Sequence, residues 1–213
     1  MRVCLCLIMW TLSCRSETIK RNTSLVKYPW FDVEDKECQK VDVMFAEEGS
    51  LPMMALVSFP RSGNSWLRQL IEAMTGVFTG SFYNADSLKE DFWGESSWRD
   101  GTTIVQKTHH RALITENYEN LDLPWRLVHM AYFKEKGILL VRDPYKAIMS
   151  YWHLKKSLTY TQSADSRDFQ SSAFDAFVNT AVVRWFEVIL DWAEHAEKLH
   201  VVFFEVCNNI FSF

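Results

Sequence analysis

The sequence holds no CxxC pair and no cysteine/histidine spacing of the kind that binds zinc, so it offers no candidate metal ligands. It also lacks a strong excess of either charge. The formal net charge is −4, so nothing global directs the chain to nucleic acid or to an anionic membrane surface, and any anion site must be built locally. No apolar run reaches the ~20 residues that a transmembrane helix needs. No internal repeat or low-complexity tract is present. The Walker A pattern G-x-x-x-x-G-K-[ST] is missing and no Walker B carboxylate follows, which argues against an ATPase, a GTPase or a P-loop nucleotide kinase. What the 213 residues do contain is apolar (48%) and aromatic (15%) mass, enough for one domain with a substantial core, and too little charge for a disordered chain.

The chain starts MRVCLCLIMWTLSC followed by Arg15, a short apolar run after one Arg. A secretory signal peptide is the expectation for residues 1–14, with a short signal-anchor or a buried strand as alternatives. Asn22-Thr23-Ser24 is a glycosylation acceptor triplet, in keeping with a luminal location. Of the five cysteines, Cys4, Cys6 and Cys14 lie in the leader, leaving Cys38 and Cys207 as a possible disulfide. Residues 15–50 are polar and mixed, and read as a stem or lead-in to a domain over 51–213.

Within that domain, strands alternate with helices. Ala55–Phe59 (ALVSF) is a short apolar run ending at Pro60, the pattern of a buried parallel strand. After the turn RSGNS, Leu67, Leu70, Ile71 and Met74 recur at helical spacing, and Gly76 closes the helix. Thr103–Lys107 and Gly137–Val141 are further strand candidates. Pro144 sits in the first turn of a helix through Ala147, Ile148, Tyr151 and Trp152. A long helix is expected over Ala173–Leu199, and a last strand over His200–Phe204. This alternation predicts an α/β fold: a P-loop-like three-layer arrangement with a central parallel sheet flanked by helices. Ligands of such sheets bind at the carboxyl ends of the strands.

Three segments fall at those ends. In FPRSGNSW, backbone N–H groups of Ser62, Gly63, Asn64 and Ser65 can converge on an anion at a helix N-terminus, beside the fixed charge of Arg61. The bland alternative is a plain connecting loop. Lys107-Thr108-His109 brings a cation and a base to the end of the second strand, where solvated surface is the alternative. Arg142 ends the third strand and Ser150 lies two turns into the next helix. Both reach one anionic group if that helix packs back on the sheet; otherwise Arg142 pairs with an acid such as Asp143.

Together these residues resemble the sulfotransferases that use 3′-phosphoadenosine 5′-phosphosulfate (PAPS). FPRSGNSW is similar to their 5′-phosphosulfate loop, and LVRDPYKAIMS to their 3′-phosphate motif. By that resemblance Arg61, Ser62, Gly63, Asn64 and Ser65 hold the phosphosulfate, Trp66 stacks on adenine, and Arg142 and Ser150 hold the 3′-phosphate. Lys107 becomes a sulfuryl ligand and His109 the catalytic base, with His110 as rival base. SFPRSGNSWLRQLIE, TGVFTGSFY and RDPYKAIMSYWH resemble the WSC-domain-containing branch, sialate O-sulfotransferases of the Golgi, over roughly residues 52–205. No WSC cysteine-rich module accompanies them, since residues 15–50 carry only Cys38. Arg61 stands where cytosolic members have Lys, and Asn64 where they have Thr. The family's later basic, glycine-containing loop does not follow Phe204-Glu205, so the domain is expected to be partial and its fold incomplete at the C-terminus.

The resemblance implies direct sulfuryl transfer from PAPS to an acceptor hydroxyl, needing no metal, with His109 as general base and Arg61 and Lys107 neutralising developing charge. The implied partners are the nucleotide donor and a carbohydrate, possibly sialylated, in the Golgi lumen, with possible membrane anchoring through the N-terminus. Phe82, Tyr83, Phe92, Trp93, Trp98 and Tyr160 are candidates for stacking on a sugar, or for core. The alternative function is a catalytically inactive, truncated member that serves as a nucleotide-binding or interaction module.

Overall fold

The structure, a computed structural model, describes residues 19–27, 42–97, 99–109, 130–157 and 162–211. Strands β1 (Arg21–Lys27) and β2 (Val43–Ala46) form an antiparallel ribbon. The main sheet contains β3 (Ala55–Ser58), β4 (Gly80–Ser81), β5 (Gln106–Thr108), β6 (Lys136–Val141) and β7 (Lys198–Phe203), in the order β4-β5-β3-β6-β7 and parallel throughout. Among the described residues four α-helices accompany it: α1 (Asn64–Thr75), α2 (Pro144–Ser157), α3 (Ser172–His195) and α4 (Phe204–Phe211).

Every residue of β3 is buried because helices cover both faces of the sheet. Ala55 and Val57 face one core, with Leu139, Ala147, Ile148, Tyr151, Val188 and Trp192, under α2 and α3. Leu56 faces the other core, with Ile138, Leu140, Leu67, Ile71 and Cys207, under α1 and α4. The two-residue period of the strands thus separates the layers, as the three-layer reading requires.

This arrangement fixes where a ligand can bind. β3 and β6 are adjacent, yet the helix after β3 packs on one face and the helix after β6 on the other. Between two loops that part in this way lies the crevice of an open α/β sheet.

Several boundaries differ from the sequence reading. The strand expected at Thr103–Lys107 forms at Gln106–Thr108. Ahead of it, Thr103 is held by its side chain on the Ser97 carbonyl, and the Ile104 N–H bonds Phe78 O. The long helix stops at His195 rather than Leu199, since β7 begins at Lys198 and pairs with Lys136. Phe204 opens α4 instead of ending a strand. β4 has only two residues and leaves no periodic pattern. Part of the expected lead-in packs on the domain: Val43 and Ala46 are buried, and Met44 bonds Gly76 O and Phe78 N through its backbone. The leader and Cys38 lie outside the described residues; Cys207 is buried. Asn22 lies in β1 and is exposed. Among the described residues no helix is long and apolar enough to cross a membrane.

Gly137 of β6 admits Trp192 against the sheet. A Cβ there would stand 2.7 Å from the indole Cζ3. Gly137→Ala is expected to displace the indole and destabilise the domain by about 1–3 kcal/mol, as overpacking does, measurable as a lowered denaturant midpoint.

Candidate functional site

The loop from β3 to α1 is sharply bent. Arg61 and Gly63 both have left-handed backbone, with φ 64° and 94°, on either side of Ser62. A Cβ on Gly63 would also lie 2.5 Å from two carbons of the Phe204 ring, so conformation and space both demand glycine. α1 then starts without a side-chain cap, and its first N–H groups have no partner within the helix. Two expected ligands are committed elsewhere. The Ser62 N–H closes a turn on Phe59 O at 3.2 Å. Asn64 turns its side chain inward, its amide nitrogen donating to Leu56 O (3.0 Å) and Ser58 Oγ (3.1 Å). It is buried because it falls on the same stripe of α1 as Leu67 and Ile71. By contrast, the buried Ser62 hydroxyl has no partner.

Arg61 and the third segment meet. Arg61 Nε donates to Ser150 Oγ at 2.9 Å, and Arg142 Nη1 donates to Arg61 O at 2.7 Å. Arg142 therefore does not close on Asp143, whose carboxylate accepts the Lys146 N–H in the first turn of α2. Its Nε has no partner. The guanidinium lies 4.7 Å from the centre of the Phe204 ring, and Trp66 meets the same ring edge-on at 5.3 Å. Phe204 thus joins the loop, Trp66 and Arg142.

The second segment approaches from β5. His109 is buried, with Nδ1 3.0 Å from Ser58 O and 3.3 Å from Ser58 Oγ. A carbonyl only accepts, so Nδ1 carries the proton and Nε2 is left bare, the tautomer of a proton acceptor. Burial, then the neighbouring Lys107, lower its pKa to about 3. Lys107 is buried as well. Desolvation and Arg68 bring its ammonium down to about 8, against the pull of Glu95. His110 lies outside the described residues.

A profile of the sulfotransferase domain matches residues 52–205. The chain belongs to the sulfotransferase family. It is 29% identical to WSCD family member CG9164 of Drosophila melanogaster over 167 residues, which are 77% of this chain and 48% of that protein. It is 30% identical to WSCD family member AAEL009094 of Aedes aegypti over 145 residues, 67% of this chain and 41% of that protein. The chain therefore spans less than half the length of these curated relatives. No solved structure was found to match it.

Beneath this candidate site runs a buried ionic network that the sequence reading missed. Arg68 has no exposure: Nη1 meets Glu95 Oε2 at 2.6 Å, Nε donates to Thr79 Oγ1 at 2.7 Å, and the guanidinium covers the Phe92 ring at 3.9 Å. Glu72 accepts from the N–H and the hydroxyl of the same Thr79. The signal was present in the helix: Arg68 and Glu72 follow Leu67 and Ile71 on the buried stripe, whereas Leu70 and Met74 are only half-buried. Phe92 thus belongs to the core, and Trp93 stacks on Phe78. Trp98 and Tyr160 lie outside the described residues. Among the described residues, no cluster of three or more potential metal ligands occurs.

The neutral His109 links this domain's stability to pH. Between about 6.5 and about 3 the unfolded chain takes a proton on His109 that the folded chain does not. Stability is complete above this window and falls with pH inside it, by up to about 1.4 kcal/mol per pH unit for one proton. Denaturant melts at pH 7, 6, 5 and 4 should show native protein losing stability faster than His109→Gln; parallel losses would contradict the burial of a neutral imidazole.

Proposed function

We propose that this domain binds PAPS in the crevice between β3 and β6 and transfers its sulfuryl group to a hydroxyl of a glycan, sialylated sugars being the class that family resemblance suggests. The observation that carries the reading is the bonding of Arg61 to Ser150 and of Arg142 to Arg61, which joins the segments that resemble the two phosphate motifs of the family. The residues suit an anionic donor. The α1 N-terminus is uncapped, and the Ser62 hydroxyl and Arg142 Nε are buried donors without acceptors. Phosphate oxygens are acceptors of the kind these groups lack.

On this reading Arg61, Ser62, Gly63 and Ser65 hold the 5′-phosphosulfate, Arg142 and Ser150 the 3′-phosphate, and Trp66 the adenine. Asn64 contributes its backbone N–H, while its amide braces the loop from inside. Bound PAPS supplies a sulfuryl group activated as a phosphosulfate anhydride. His109 Nε2 takes the acceptor proton as the hydroxyl oxygen bonds sulfur and the bond from sulfur to the phosphate oxygen breaks. Lys107 and Arg61 offset the negative charge that passes to the leaving phosphate. His109 begins as a weak base at about 3, held there in part by Lys107. An anion against Lys107 opposes that repulsion, so donor binding raises the basicity of His109 when it is needed. The apolar leader and the Asn22 triplet support residence in the Golgi lumen as a glycoprotein, reached by a signal peptide or held by a type II anchor.

Calorimetry with 3′,5′-ADP tests the donor site. Native protein should bind it, and Arg142→Ala should weaken binding tenfold or more, equivalent to at least ~1.4 kcal/mol. A folded protein that does not bind, or a variant that binds equally well, would contradict the reading. A second titration series against pH should show affinity falling as pH rises past about 8, where Lys107 loses its charge; a flat profile would remove Lys107 from the site.

A further inference from the structure

Tyr83 lies just past β4, at the edge of the sheet, and ends the TGVFTGSFY segment, where the sequence gives it no role beyond sugar stacking or core. The structure places it against His109 in two independent ways. Its phenol oxygen accepts the His109 backbone N–H at 2.6 Å. Its ring lies nearly parallel to the imidazole, 5.6 Å between centres and 19° between planes. Ser58 holds the imidazole at Nδ1. The histidine is thus fixed at its backbone N–H, along one face and at one ring nitrogen, which leaves Nε2 as the unassigned nitrogen of the ring.

Tyr83 is itself held. The Phe82 N–H bonds Lys107 O at 3.0 Å, the Tyr83 N–H bonds Ser81 Oγ at 3.2 Å, and Phe82 packs edge-on to the Tyr83 ring at 5.7 Å. Its hydroxyl lies 3.4 Å from Thr108 Oγ1. Burial pushes the phenol pKa up to about 12, so the hydroxyl keeps its proton at physiological pH. A neutral phenol that accepts one N–H adds no charge beside the base. A carboxylate in its place would favour the imidazolium and block proton acceptance.

We propose that Tyr83 is a positioning residue for the sulfuryl-transfer base: through its hydroxyl and its ring it holds the His109 imidazole so that bare Nε2 faces the acceptor. The proposal rests on the reading of His109 as the base. Tyr83→Phe keeps the ring and removes the oxygen, so it separates orientation from packing.

Two readouts decide it, both on the full chain. The first is the nitrogen-15 spectrum of the His109 ring, recorded without donor or acceptor. Native protein should show a single tautomer protonated at Nδ1, and Tyr83→Phe a mixture of tautomers or a displaced pair of signals. The second is turnover with PAPS and sialyllactose, where kcat should fall about tenfold in Tyr83→Phe while the KM for PAPS and the affinity for 3′,5′-ADP stay within about twofold. A residue that only packs would leave the ring signals unchanged, and that result overturns the proposal whatever the turnover. Changed signals with native kcat would overturn it too, because the hold would then have no bearing on transfer. His109→Ala is the separate control: full activity in that variant removes His109 as base, while the ring signals still report whether Tyr83 holds it.

Discussion

Ser58 is the point on which the site depends. It ends β3, the central strand, and its carbonyl and hydroxyl both lie within reach of His109 Nδ1. The same hydroxyl accepts from Asn64, the first residue of α1. One buried serine therefore touches both the helix that follows the loop at residues 60–63 and the imidazole from the neighbouring strand. The parallel pairing of β3 with β5 makes this possible, since Val57 registers with Thr108 and so brings the residues after each into proximity. A register slip of one residue would turn His109 to the opposite face and sever the link.

Below this hub the domain keeps charge inside. Arg68, Glu95 and Glu72 converge on Thr79 and its surroundings, fully enclosed. A buried ion pair adds little over a well-packed apolar core, but loss of one partner strands the other at a cost of about 3–5 kcal/mol. Its bearing on the site is electrostatic. Arg68 lowers and Glu95 raises the Lys107 ammonium, and Arg68 also weighs against protonation of His109. The network is thus scaffold and field source together.

Much of this was legible beforehand. Apolar runs located β3 and β6, helical spacing located α1 and α2, and the strand-end positions of Arg61, Lys107, His109 and Arg142 followed from the alternation. What stayed hidden were facts of three-dimensional packing. Asn64 reads as a loop ligand until the helix is seen to begin there and to bury its side chain. Arg68 and Glu72 drew no expectation, because a polar residue on a buried stripe declares itself only through its partner, and Glu95 is far away in the chain. β4 is too short for any period to show. The depressed basicity of His109 depends chiefly on burial, then on its chain neighbour Lys107; the sequence shows the neighbour, but only the fold brings Tyr83 and Ser58 over the ring and encloses it.

The contact of Phe204 with Gly63 has a consequence for the order of assembly. The bend of the loop after β3 is packed by a ring that follows β7, so the loop is braced only once all five described strands of the main sheet have been synthesised. Contacts between such distant positions form late and slowly, because the intervening chain must be closed first. During synthesis the domain can therefore assemble its central strands while the bend at Gly63 still lacks its packing. The loop acquires its final shape only after β7, with α4 serving as its keystone.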